Sequence, residues 1–322
     1  MFQQKIQNIL NCLSSLIPQF NKSICVNQLN TLPDKITDAI VGNNILRLLT
    51  NGTIHQVDED DLYKVMSLRK YAFCSCRNLS NITLPNNITS IGEQAFANTE
   101  YYNNTSNWEN DTLYIGNCII KGKTALSGEL YIKPNTSVIA DSAFVECRQL
   151  TRVIIPNSVI TIGRNAFNDC TSLTEIDIPD SVRQISDRAF HYCSNLTSVE
   201  IGNGVKTIGE SAFEDCGKLY NVKLGNSVEV IGKRAFFRCH KLTSIRLPAS
   251  VKLICTDGLD AGLFHLYLHA TTPPVLQDNA LTLVVSATIT TKIHIPKGSI
   301  EAYKSATNWS KFSKYFVEDI EI

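Results

Sequence analysis

Six histidines and eleven cysteines are the side chains in this 322-residue sequence best suited to metal binding or nucleophilic chemistry. The histidines are His55, His191, His240, His265, His269 and His294. None stands in a G-x-S-x-G or H-E-x-x-H context, so neither a nucleophile with its base nor a zinc-protease helix is written in the chain. His265, Tyr267 and His269 alternate along one expected strand and share a face, where two imidazoles could meet a metal. The plainer reading, exposed polar residues near the last coil of a repeat, is preferred. Phosphate-binding glycine loops are absent too, because Ile-Gly at 91–92, 162–163, 208–209 and 231–232 supplies one glycine per repeat at what reads as a turn. The expectation is a non-enzyme with no catalytic residue, no cofactor and no metal.

The cysteines read as structural. Cys74-x-Cys76 lacks the second half of a zinc site. Cys147, Cys170, Cys193, Cys216 and Cys239 recur every 23 residues. Strand spacing of about 4.8 Å would allow a disulfide by distance. Ladder neighbours, however, project in parallel, and an odd column cannot pair completely. Buried free thiols acting as small hydrophobes fit better.

The element that positions these residues is a repeat. Ala-Phe closes at Phe73, Phe96, Phe144, Phe167, Phe190, Phe213 and Phe236, the last five at intervals of 23 residues. Fixed self-similarity at this period marks a stacked, quasi-one-dimensional fold. Within residues 170–190, Leu173, Ile176 and Ile178 follow the L-x-x-L-x-L pattern of a leucine-rich-repeat strand, with Ile176 and Ile178 inward and Glu175 and Asp177 outward. Pro179 ends the strand. Val182 and Ile185 turn inward on the way back, and each Phe lies on its neighbour in the next coil.

The outward columns then define the candidate binding surface. One reads Glu129, Arg152, Glu175, Ser198, Asn221, Ser244 and His265; the other reads Tyr131, Ile154, Asp177, Glu200, Lys223, Arg246 and Tyr267. Opposite charges in these columns suit cross-strand pairs that keep a wide sheet soluble. The functional reading is a polar groove with an aromatic and basic end, built from Tyr131, Arg152, Glu175, Asp177, Glu200, Lys223, Arg246, His265 and Tyr267, for an extended protein or glycan partner.

Thirty basic residues balance thirty acidic ones, so no global field draws in nucleic acid or an anionic membrane. No run of 18 apolar residues spans a bilayer, and no secretory signal is visible at the N-terminus. Ile6, Ile9, Leu10, Leu13, Leu16 and Ile17 recur at helical spacing and stop before Pro18, and a second short helix is expected from Pro33. Residues 1–55 are therefore expected to form a helical cap on the open end of the stack, with an oligomerisation or attachment helix as the alternative.

The repeat C-x-x-L-x-x-I-x-I-P-x-S-V-x-x-I-G-x-x-A-F resembles the leucine-rich repeat of the BspA-like group, also called the Treponema pallidum type. The resemblance implies a leucine-rich-repeat solenoid over residues 56–322, with a parallel sheet on one face. It also implies a degenerate, hairpin-like repeat near 99–128 and a closing cap near 271–322. For function it implies a protein-binding or adhesion module of the bacterial cell surface, or a secreted one. The alternative, favoured by the absence of a visible signal and by the expected N-terminal helices, is a structural or intracellular scaffold, or part of a larger appendage, that binds through those helices. It supplies no catalytic or ligand-binding residue.

Overall fold

The computed structural model describes residues 56–57, 66–283 and 291–321, so the helices expected within residues 1–55 lie outside the described part. The chain forms two compact units, Met1–Ile120 and Lys121–Ile322. Both are built from coils of the predicted solenoid. Among the described residues no helix is long and apolar enough to cross a membrane.

In the second unit each coil contributes two strands. The longer ones, Ser127–Tyr131, Gln149–Ile154, Glu175–Ile178, Ser198–Ile201 and Asn221–Lys223, form a five-stranded parallel sheet. Ser244–Leu247, His265–Leu268, Lys292–Pro296 and Phe316–Ile320 form a second, four-stranded parallel sheet. Short strands, from Val138–Ile139 and Thr161–Ile162 to Leu253–Ile254 and Val275–Leu276, make a further parallel ladder. The core is made of the inward residues of both ladders. Ile176, Ile178, Val182 and Ile185 are all buried, as alternation requires.

The Phe column is fully buried. Phe144, Phe167, Phe190, Phe213 and Phe236 stack with ring centroids 5.1–5.4 Å apart and planes within 9°. The backbone around each ring is less ordinary. Arg188 and Tyr192, two residues either side of Phe190, adopt φ of 56° and 59°. Left-handed backbone costs a non-glycine residue on the order of 1 kcal/mol. Here it aims successive N–H groups at the next coil: Arg188 donates to the Glu210 carbonyl at 2.8 Å, Phe190 to Ala212 at 2.8 Å and Tyr192 to Glu214 at 2.9 Å. Those bonds offset the strain.

The cysteine column is buried and unbridged. Cys170, Cys193 and Cys216 each donate a thiol hydrogen bond of 3.2 Å to the carbonyl of the Phe 26 residues earlier. Gly163 does not serve as a turn residue with left-handed backbone. A Cβ there would lie 2.6 Å from the Asp141 nitrogen, so close approach of the preceding coil calls for glycine.

The first unit repeats the plan on a smaller scale: Ser67–Leu68 pairs in parallel with Ser90–Ile91, and Phe73 stacks on Phe96 at 5.4 Å. The pattern then breaks. Thr99 caps a short helix, Glu100–Asn103, by accepting from the Tyr102 N–H. Trp108–Glu109 and Thr112–Ile115 pair antiparallel around Asn110 and Asp111, whose φ of 46° and 59° suit a two-residue hairpin turn. At the other end, the helix Ile300–Ser305 carries the buried Tyr303, which donates to the Ala270 carbonyl at 2.7 Å. Trp309 donates to Pro274 at 2.7 Å and meets Tyr303 edge-on at 5.5 Å.

Candidate binding surface

The outward columns have the register read from the sequence: Arg152 lies beside Glu175, Asp177 beside Glu200 and Arg246 beside Tyr267. In the first sheet these side chains largely satisfy one another. Arg152 Nε is 3.2 Å from Glu175 Oε1, and Lys223 is ion-paired with Glu200. Tyr131, 68% exposed, donates to Glu129 at 2.6 Å. Asn221 donates to Ser198 at 2.9 Å. Exposed pairs of this kind add little to stability and leave few uncommitted charges.

The second sheet is different. The Arg246 guanidinium lies 3.9 Å from the centre of the Tyr267 ring, and Tyr267 stacks on His294 at 4.1 Å with planes 10° apart. The three occupy successive places in one column. His294 is buried, and its Nε2 is 3.1 Å from Nδ1 of His265. Its Nδ1 faces both carboxylate oxygens of Asp319, at 3.0 and 2.8 Å. Asp319 reaches it through a register shift in Phe316–Ile320, where Glu318 pairs with Ile295 and Ile320 with Pro296. An extra residue of that kind re-aims a side chain. Burial, then the neighbouring His294 and Lys292, hold the His265 pKa below the usual histidine range.

Beside this cluster a cleft is lined by Leu224, Asn226, Arg246, Pro248, Ser250 and His269. His269 follows directly after the strand, which ends at Leu268; it is exposed, continuing the alternation of His265 and Tyr267, and lines the cleft with Arg246.

A family model described as the BspA type leucine rich repeat region matches residues 60–144 and 137–259, in six copies. The chain belongs to this family. Similar solved structures include a leucine-rich repeat protein of Treponema pallidum, 30% identical, covering 51% of this chain and 82% of that one with a TM-score of 0.44. A leucine-rich repeat protein of Eubacterium ventriosum is 20% identical over 76% of this chain and 84% of that one, with a TM-score of 0.46. A leucine rich cell surface protein of Faecalibacterium prausnitzii is 20% identical over 82% of each chain, with a TM-score of 0.33. No curated protein matches the chain.

In this BspA-type chain, sequence reasoning placed Arg246, Tyr267 and His265 together but missed His294 and Asp319. The alternation of Lys-Ile-His-Ile-Pro at 292–296 continues the strand pattern and could have added His294 to the Arg246–Tyr267 column. Nothing in the sequence announces the bulge that brings in Asp319. A second acidic group with a histidine, His191, Glu214 and Asp215, has ligand atoms within 4.8 Å of one another. It is already satisfied: Glu214 holds Arg234 at 2.8 Å, Asp215 faces Arg238 at 3.7 Å and His191 bonds Asn168 at 3.0 Å.

Proposed function

We propose that this chain is a non-enzymatic protein-binding or adhesion module, acting at the cell surface or after secretion, whose partner docks on the exposed face of the Ser244–Leu247, His265–Leu268 and Lys292–Pro296 strands. The Arg246–Tyr267–His294 stack is the observation that carries this reading. Stacked aromatic and arginine side chains are the residue types in which interface energy concentrates. Charges of the neighbouring sheet are largely spent on each other, so Tyr131, Arg152, Glu175, Asp177, Glu200 and Lys223 form the rim of the surface rather than its anchor. The segment 271–322 serves as a cap on the stack. Membership of the BspA-type family supports a binding role.

The test is adhesion of protein-coated beads to cell monolayers and to a panel of immobilised extracellular proteins. Arg246→Ala/Tyr267→Ala should abolish whatever adhesion the wild type shows. Equal adhesion by the double variant, with loss on deletion of residues 1–50, would place the site on the N-terminal segment instead.

A further inference from the structure

We propose that His265 and His294 bind a borderline divalent transition cation of the Zn²⁺ and Cu²⁺ class, with Asp319 holding His294 from the far side of its ring. The Asp319 carboxylate, 2.8 and 3.0 Å from His294 Nδ1, fixes the proton on that nitrogen and leaves the lone pair on Nε2. That lone pair points at His265 Nδ1, 3.1 Å away. Two imidazole nitrogens on one tetrahedral cation, each about 2.0–2.1 Å from it, stand about 3.3 Å apart. The pair is therefore already within a few tenths of an ångström of the separation a shared metal requires. A carboxylate behind a ligating histidine is the outer-sphere partner that orients such rings and raises their basicity.

The surroundings divide the work between the rings. Tyr267 stacked at 4.1 Å and burial hold His294 in one plane, whereas His265 is only half-buried. Without metal the same atoms make an ordinary N–H···N bond, with His265 donating. Imidazole donors select Zn²⁺, Cu²⁺ and Ni²⁺ over Mg²⁺ and Ca²⁺. Lys292, beside His265 in register, opposes any added positive charge alike, and Cu²⁺, the strongest binder of the series, should exceed Zn²⁺. The remaining coordination positions would be taken by water or by a group from a bound molecule. This inference stands apart from the choice of partner.

The full chain, stripped with chelator, should be titrated calorimetrically with Zn²⁺ and Cu²⁺. A saturable event in the wild type should disappear in His265→Ala, a change on the sheet surface that is expected to leave the melting transition in place. Asp319→Asn should weaken affinity by about 10–100-fold; a purely structural aspartate would move melting and leave affinity alone. The imidazole proton resonances of His265 and His294 should shift on addition of Zn²⁺ to the wild type, a readout independent of any variant's folding. Absence of binding, binding unchanged in His265→Ala, or unmoved resonances during saturation would each overturn the site.

Discussion

The thiol of Cys193 donates to the carbonyl of Phe167, 3.2 Å away and one coil earlier. The same carbonyl accepts the backbone N–H of Cys170 at 3.2 Å, so one oxygen ties together consecutive coils. Cysteine suits this position because it fills the space of a small apolar side chain and still carries a weak donor. The column therefore holds the stack without disulfides, and its chemistry follows from burial.

Burial pushes the Cys193 and Cys216 thiols well above the ordinary range and Cys147 to about 11. In the native state they keep protons that the unfolded chain gives up near about 8.5. Stability from this source is complete below that unfolded value and falls as pH rises toward the native values, by up to about 1.4 kcal/mol per pH unit for each thiol. Urea midpoints measured from pH 7 to 10 should decline, and Cys193→Ala should decline less steeply than the wild type. Parallel declines would remove the thiols as the cause. Native Cys170, Cys193 and Cys216 should also resist alkylation until the chain unfolds.

Phe190 lies 5.3 Å from both Phe167 and Phe213 and is fully buried. Phe190→Ala should cost about 3–5 kcal/mol, the range for deleting a buried ring whose surroundings cannot collapse. Denaturant melts within 1 kcal/mol of wild type would mean that the column bears none of the packing assigned to it.

The Phe column, the cysteine column and the outward register were legible because each is a side-chain choice repeated every 23 residues. Backbone conformation was not. Arg188 and Tyr192 stand in left-handed geometry that glycine or asparagine would have signalled, and inter-coil hydrogen bonding holds them there without either. Gly163 was legible as special but for the wrong reason, since the approach of Asp141 rather than a turn selects it. At the candidate site the repeat supplied Arg246, Tyr267 and His265. Asp319 depends on a register slip in Phe316–Ile320, and a slip has no periodic signature.

Lys223 and Glu200 form an exposed pair, and Arg152 with Glu175 another. Solvent screens both, and side-chain ordering consumes much of what attraction remains. Lys223→Ala and Arg152→Ala should therefore leave the melting temperature and partner adhesion close to wild type. A large loss of adhesion in either single variant would move the binding centre from the second sheet to the first.

Arg246 and Tyr267 are neighbours in register, with the guanidinium 3.9 Å from the ring centre. Stacking presents the flat guanidinium with its N–H edge free to meet acceptors, and the adjoining cleft adds Asn226 and His269 around it. Once a partner is in hand, Arg246→Ala/Tyr267→Ala should weaken binding by at least about 2 kcal/mol, the threshold for an interface hot spot. Neither side chain supports the core, so the melting transition should barely move. Isothermal titration alongside thermal melts separates the two effects. Unaltered affinity in a folded double variant would rule out this stack as the docking centre, whereas Arg246→Lys, which keeps the charge and loses the planar fork, should fall between the two if stacking and bidentate contact matter.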